Sequence, residues 1–385
     1  MEIETEPRIT GPTTSWAGAV AQFTRGFAYD RWLDTVGLPV HRGFFVEDLR
    51  TVPVAPWEER ECGAAFIQLS GQEGVSEARV CEVPPGATLP PLKMGVDEAV
   101  YVAAGVGLAT VWADEGGPKT TFEWQPRSLF FIPRNYTCQL SNARGHQPAR
   151  LLHYNYLPLA MSMIQEVDHF INNPHGRAPA SPTDGEMYAE ARAVELKNAA
   201  DTRRKFWYGN FFPDMQAWDK LESLRSRGAG GQSVLMGFPH SEMSAHMSVF
   251  PSRTYKKAHR HGPGRVIVIP GGEGFSVMWV EGEEQVLVPW HEASMFVPPD
   301  RWFHQHFNVG AEPARYLALH PMRQFIGHGE QVEDLARDQI EYTAEAPWIR
   351  QHFEEELAKR GITSLMPPDV YVDPEYEWKA PGGGD

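Results

Sequence analysis

The residues best equipped for chemistry are His259 and His261, separated only by Arg260, and His304 in the later run Pro299-Asp300-Arg301-Trp302-Phe303-His304. Strand side chains alternate with period two, so an H-x-H on a strand sends both imidazoles to one face. An imidazole from a neighbouring strand then completes a three-nitrogen metal site. Imidazole suits Fe, Cu, Zn and Ni, and three protein ligands on one side of an ion leave positions open for a substrate. His306 stands two residues beyond His304 and shares its face on a continuous strand, which makes it an additional ligand or an acid/base group. His153, His246, His291 and His320 read as packing or supporting histidines.

Strands must position such a site, and the chain supplies them twice. Val83-Pro84-Pro85-Gly86, followed by Glu98 to Gly105, matches Phe250-Pro251-Ser252-Arg253, followed by Arg265 to Gly272, at an offset of 167 residues. Phe131 to Asn142 matches Val297 to Asn308 at an offset of 166. Closing strands follow at Pro148 to Leu152 and Pro313 to Leu317. A long internal repeat of this kind is a duplicated domain. Each copy reads as short strands: Leu108 to Trp112 and Phe275 to Val280 are apolar runs of strand length, and Gly105, Gly107, Gly271, Gly272 and Gly274 are turn glycines. The high counts of glycine (35) and proline (32) favour turns over a helical bundle. The expected fold is all-β dominated: two tandem jelly-roll (double-stranded β-helix) barrels, with a helical inter-barrel segment and a C-terminal helix.

The expected divisions are an N-terminal extension over 1–60, a first barrel over 61–160 and a helical or loop linker over 161–233. A second barrel over 234–325 and a C-terminal helix with a disordered tail over 326–385 follow. Helix formers run from Glu186 to Asn198, and Asp214 to Arg227 is a second helix candidate; Pro174 to Asp184 reads as a surface loop. Pro347 starts a helix with Trp348, Ile349, Phe353 and Leu357 on its apolar face and Gly361 as terminator. Tyr29 to Val36 reads as a short helix, followed by strands that pair with the opposite barrel.

Composition removes several function classes. A formal charge of −15 without a long basic run argues against nucleic acid and anionic membranes. Cys62, Cys81 and Cys138 form neither a C-x-x-C motif nor a disulfide framework. The acidic N-terminus lacks the apolar core of a signal peptide, and no apolar run of about 18 residues is present for a membrane span. A reduced, cytoplasmic protein is expected.

Beyond these readings, the second repeat resembles the cupin superfamily pattern, G-x5-H-x-H-x3,4-E-x6-G followed by G-x5-P-x-G-x2-H-x3-N, with His259, His261, Gly272, Pro299, His304 and Asn308 at matching positions. The two copies together resemble a bicupin. In the first copy Leu92, Met94 and Cys138 stand where the histidines would be and only Glu98 survives, so Glu98 reads as structural and Cys138 as a small buried hydrophobe. In the second copy the glutamate position holds Arg265. The resemblance therefore implies one metal per chain on a neutral ligand set, and an anionic chelating substrate such as a catecholate, enolate or hydroxy-carboxylate. Arg265 would grip a substrate carboxylate or form a salt bridge at the barrel rim. The stretch Pro298 to Asn308 and the H-R-H segment are similar to those of gentisate-type ring-cleaving dioxygenases, which hold Fe(II) on three histidines in the first barrel rather than the second.

The resemblance thus implies a metal-dependent oxidoreductase: an Fe(II) dioxygenase using O2, with Mn, Zn, Ni or Cu as alternative metals. Trp302, Phe303, Tyr255 and Trp279 would line its substrate pocket. Two other readings stand beside it. One is a non-oxidative lyase, isomerase or decarboxylase; the other is a non-catalytic bicupin that binds a small molecule. Association into a homo-oligomer is expected, since bicupins resemble dimers of single cupins.

Overall fold

The computed structural model describes residues 26–179, 186–197, 203–216, 222–223, 228–322 and 335–378. The first half carries strands β1 (Val40–Gly43), β2 (Phe45–Val46), β3 (Ala55–Trp57), β4 (Cys62–Leu69), β5 (Glu77–Val83), β6 (Leu92–Lys93), β7 (Glu98–Ala104), β8 (Gly107–Trp112), β9 (Thr120–Trp124), β10 (Leu129–Ile132), β11 (Thr137–Asn142) and β12 (Ala149–Asn155). The middle adds β13 (Arg192–Lys197), β14 (Arg203–Tyr208), β15 (Phe211–Phe212), β16 (Glu222–Ser223) and β17 (Gln232–Gly237). The second half carries β18 (Ser244–Phe250), β19 (Ala258–His259), β20 (Val266–Gly271), β21 (Gly274–Trp279), β22 (Val286–Trp290), β23 (Met295–Phe296), β24 (Phe303–Asn308), β25 (Ala314–His320) and β26 (Gln339–Ile340).

The duplication is visible in the strand order. One barrel faces the run β5-β12-β7-β10 with β6-β11-β8-β9; the other faces β18-β25-β20-β23 with β19-β24-β21-β22. These are two copies of one jelly roll, as the repeat requires. Buried Ala245, Met247, Val266, Val268, Leu317 and Leu319 belong to the same core as the first barrel, so the two barrels pack through the outer faces of these sheets. The interior of the second barrel is a separate apolar cluster around Phe250, Met278, Trp290 and Phe296. After Val40, the N-terminal segment ties both barrels together: β1 pairs parallel with β4, and β2 pairs antiparallel with β23 of the second barrel.

Two repeated devices hold each copy. Asn142 Nδ2 donates to the carbonyls of Val83, Pro84 and Gln147, and Asn308 Nδ2 donates to those of Phe250, Pro251 and Glu312. Gly105 and Gly272 take positive φ (92° and 103°) as turn glycines should. Gly107 and Gly274 do not. They are glycines because a Cβ would sit 2.0 Å from Ser141 O and 1.9 Å from Phe307 O, with Trp124 and Trp290 pressed alongside.

The helices follow expectation at both ends. Helix α1 (Ala28–Val36) ends at Gly37 with positive φ. Helix α2 (Leu157–Met163) follows β12, and the short α3 (Leu335–Asp338) precedes β26. Helix α4 (Pro347–Lys359) starts on Pro347 and buries Ile349, Phe353 and Leu357. These pack on the outer face of the second barrel against Tyr255, Phe275 and Phe307.

The segment between the barrels corrects the sequence reading. The helix expected over Glu186 to Asn198 is instead β13, which pairs in register with β14 from Arg192↔Tyr208 to Lys197↔Arg203. Helix propensity here yields to tertiary pairing, because β14 extends the sheet of the second barrel through β17. Within the second helix candidate, Asp214 to Arg227, Glu222 and Ser223 pair with Ser233 and Gln232, so no continuous helix spans it. Residues 217–221 and 224–227 lie outside the described residues, as do 180–184 of the expected loop and 379–385 of the expected tail. Among the described residues, no helix is long and apolar enough to cross a membrane.

Candidate metal centre

His259 ends β19 and pairs directly across the sheet with His304 of β24. His261 lies just past the strand, where Gly262-Pro263-Gly264 turns the chain away, but its carbonyl still accepts from the Arg301 amide at 2.9 Å. That turn is held by the first barrel: Gly264 N–H donates to Gly71 O at 2.6 Å, and Tyr154 OH donates to Gly264 O at 2.7 Å. Arg260, between the two histidines, points the other way. Its Nε donates to Asp338 at 3.1 Å, and its guanidinium lies 4.5 Å from the Phe303 ring centre. Asp338 also takes Arg337 and Arg301. Their hydrogen bonds and charges, that of Arg337 foremost, hold its carboxyl well below the usual range against partial desolvation.

The three imidazoles are buried, and their ligand atoms lie within 4.8 Å of one another. Ring centres are 4.3 Å apart for His259 and His304, and 4.5 Å for His261 and His304. Each Nδ1 faces a backbone carbonyl: Lys257 O at 3.4 Å from His259, Gly262 O at 2.9 Å from His261 and Trp302 O at 3.2 Å from His304. A carbonyl only accepts, so each Nδ1 is the protonated nitrogen and each Nε2 keeps its lone pair for the centre. Burial first, then the charges of Arg265 and His304, pushes the His261 pKa well below its usual value, which keeps that ring neutral. Three imidazole nitrogens in convergent array fit a divalent metal. Among the described residues, no other His, Cys, Asp or Glu group converges this closely.

Beyond the triad, polar and basic groups are set among the aromatic rings of the barrel interior, Phe250, Phe296 and Tyr316. His306 does share the face of His304, with ring centres 5.5 Å apart, but its Nδ1 meets Ser276 Oγ at 2.8 Å, and it stands outside the convergent group. Burial, then His304 and Lys256, lowers its pKa well below the usual value. Lys256, fully buried, donates to Ser248 Oγ at 2.5 Å and to Tyr316 OH at 3.2 Å. His246 and His320 meet at 2.7 Å, and burial, then Arg265, lowers the His320 pKa. Neither Lys256 nor the His246–His320 contact was read from the sequence. Strand parity held the signal for part of this: Ser244, His246 and Ser248 pair with His320, Ala318 and Tyr316 on one face.

The strand registers explain how the two barrels diverged. Cys138 pairs with Leu92 as His304 pairs with His259. Asn155 pairs with both Glu77 and Glu98, as His320 pairs with Ser244 beside Arg265. In the first barrel Arg79 bridges Glu77 and Glu98, the latter at 2.6 Å, and His153 meets Glu98 at 2.9 Å. Burial would raise the Glu98 carboxyl, but Arg79 and His153 outweigh it and hold it down to about 2. Leu92, Met94 and Cys138 line a cavity of only about 40 Å³ there. The first barrel thus has a floor of paired glutamates, Arg79 and His153 where the second has Arg265, His246 and His320.

Arg265 is half-buried, and its charge acts on His261 and His320. Of the four aromatic residues expected around the substrate, Phe303 and Trp279 stack on each other at 5.7 Å on the sheet face opposite His304. Tyr255 stacks on Phe307 at 4.8 Å and bonds Glu345, again on the outer face. Trp302 packs against Phe44 at 5.6 Å. Phe303, Trp279 and Tyr255 are thus turned away from the imidazole cluster, while Trp302 packs at the edge of the interior apolar cluster.

No family model and no curated protein matches the chain. Solved structures do. Oxalate decarboxylase from Bacillus subtilis at pH 4.6 matches with TM-score 0.44 and 12% identity, over 72% of this chain and 75% of that one. A structure concerned with the Mn(II) centres of the same enzyme matches with TM-score 0.45 and 12% identity, over 72% and 76%. Identities this low and TM-scores below 0.5 leave the chemistry of this chain to its own residues.

Proposed function

We propose that His259, His261 and His304 hold one divalent metal and that the protein is a metal-dependent enzyme breaking a bond next to a carboxylate in a small anionic substrate, of the decarboxylase or lyase class. The observation that carries this reading is the convergent triad of imidazoles in an interior that also holds the buried Lys256 and the His246–His320 contact. When bound, the metal supplies positive charge that takes up the substrate oxygens and stabilises negative charge developing as the bond breaks. Arg265 orients the carboxylate by charge. His306, anchored by Ser276, and the His246–His320 pair are the groups able to hold or pass a proton.

An Fe(II) dioxygenase is the second reading, favoured by a ligand cluster that, among the described residues, holds three imidazoles and no carboxylate and so leaves positions for both substrate and O2. Mn(II), Zn, Ni and Cu fit the same donors. Protein reconstituted anaerobically with Fe(II) or Mn(II) and offered hydroxy- and keto-carboxylates tests the choice. CO2 release without O2 supports the lyase reading. Turnover only with stoichiometric O2 uptake replaces it with the dioxygenase, and turnover without metal removes both.

A further inference from the structure

The two chain segments that carry the imidazoles meet at one carboxylate. Arg260, between His259 and His261, donates from Nε to Asp338 Oδ1 at 3.1 Å. Arg301, which precedes His304, donates from Nη2 to the same oxygen at 2.6 Å. The main chain follows the same path. Arg260 N–H donates to Asp338 O at 3.0 Å, and β26 pairs with β19 at His259↔Gln339. Asp338 thus ties residues 335–340 to both ligand-bearing segments.

Arg301 is an unexpected residue for its turn. Its φ of 60° is a left-handed conformation that strains a residue with a Cβ. The cupin pattern has glycine at this position, and the equivalent residue of the first barrel is Asn135, with φ of 62°. The turn's backbone bond is common to both copies: Asn135 N–H donates to Met94 O at 2.6 Å, and Arg301 N–H donates to His261 O at 2.9 Å. The turn itself therefore needs no arginine. Lys93 and Asn135 stand in the first barrel where Arg260 and Arg301 stand in the second. Among the described residues their side chains reach main-chain carbonyls, of Gly176 and Arg177, and no shared carboxylate. The shared carboxylate occurs in the barrel that holds the triad, and what the Arg301 guanidinium reaches accounts for the strained backbone beneath it.

We infer that Asp338 is a positioning residue for the metal centre: through Arg260 and Arg301 it fixes the spacing of His259 and His261 against His304. The inference rests on the triad holding a metal. Asp338 acts from the side of the sheet to which Arg260 points, by holding the segments that aim the imidazoles.

The test is competition between a chelator and the full-length protein for Zn(II), with thermal melts of the metal-free proteins alongside. Asp338→Ala and Arg301→Asn should each bind Zn(II) about tenfold or more weakly, the usual effect of losing an outer partner. Glu281→Ala should change the affinity less than about twofold, since Glu281 pairs with Arg260 at 3.2 Å but is 70% exposed. Arg301→Asn is the decisive variant. It removes a positive charge, which by field alone would tighten cation binding. Asparagine also suits the turn, as Asn135 shows, so the metal-free variant should melt no lower than the native protein. Weaker Zn(II) binding with an unchanged melt is then an effect of position. Native affinity in folded Asp338→Ala and Arg301→Asn overturns the inference, and so does an equal loss in Glu281→Ala. Weaker binding matched by a lower metal-free melt in Arg301→Asn leaves the clamp a purely structural role and overturns it too. If Asp338→Ala does not fold, Arg301→Asn decides alone. A native protein that binds no Zn(II), or a His304→Ala variant that keeps it, refutes the triad reading itself, and the clamp falls with it.

Discussion

The imidazoles of His259, His261 and His304 differ from those of His153, His246 and His306 in what Nδ1 faces. In the triad it meets a main-chain carbonyl; in the others it meets a side chain. The carbonyl fixes the tautomer and the ring orientation without adding charge, so the donors stay aimed. Because the folded pKa of His261 is depressed, proton competition for that ligand sets in below the unfolded value of about 6.5. Metal occupancy should therefore persist at pH 6 and fall only in more acid solution, as followed by metal analysis after dialysis. Loss of metal centred near pH 6.5 would mean a solvated ligand. The triad was legible in the sequence because two-residue spacing translates directly into one face. The aromatic lining was not, because Phe303, odd in parity to His304, and Tyr255, opposite Phe307, belong to the other face.

At the level of elements, the site depends on segments distant in sequence. Tyr154 of β12 holds the turn after His261 from the neighbouring barrel. Tyr154→Phe should weaken metal binding about 10-fold without abolishing it, the usual effect of removing an outer hydrogen bond, in a competitive chelator titration. Asn308→Ala leaves three carbonyl partners short of a buried donor and should cost about 1–3 kcal/mol in urea unfolding. Glu345 gives a pH signature. Burial raises its carboxyl to about 7. A carboxyl raised on folding contributes stability that is full below the unfolded value of about 4.5 and is lost as pH rises through about 7. Thermal melts should therefore fall between pH 5 and pH 8, and Glu345→Gln should flatten that slope. The strand β26, which pairs with β19 beside His259, could not be read from the sequence: two residues carry no periodicity. The β13–β14 hairpin was misread for the opposite reason, since its first strand is built of good helix formers and is specified by its partner.

Over the whole molecule, duplication followed by exchange is the governing feature. The repeat was legible because turn glycines, Asn142 and Asn308, and the closing strands keep their spacing. The exchange of floors was only half legible. Glu98 and Arg265 align, but the companions Arg79, Asn155, His246 and His320 are joined to them only by strand register. The first barrel has apolar side chains at the ligand positions, and its Arg79, His153 and Glu98 pair with one another; the second carries the three imidazoles together with Lys256 and Arg265. The most direct test is metal content per chain by mass spectrometry after purification and reconstitution, for the native protein and for His304→Ala. One metal per native chain, and under about one tenth in the variant, is the predicted result, because two imidazoles alone hold a divalent ion weakly. Two metals per native chain, or a full equivalent retained by His304→Ala, would contradict it.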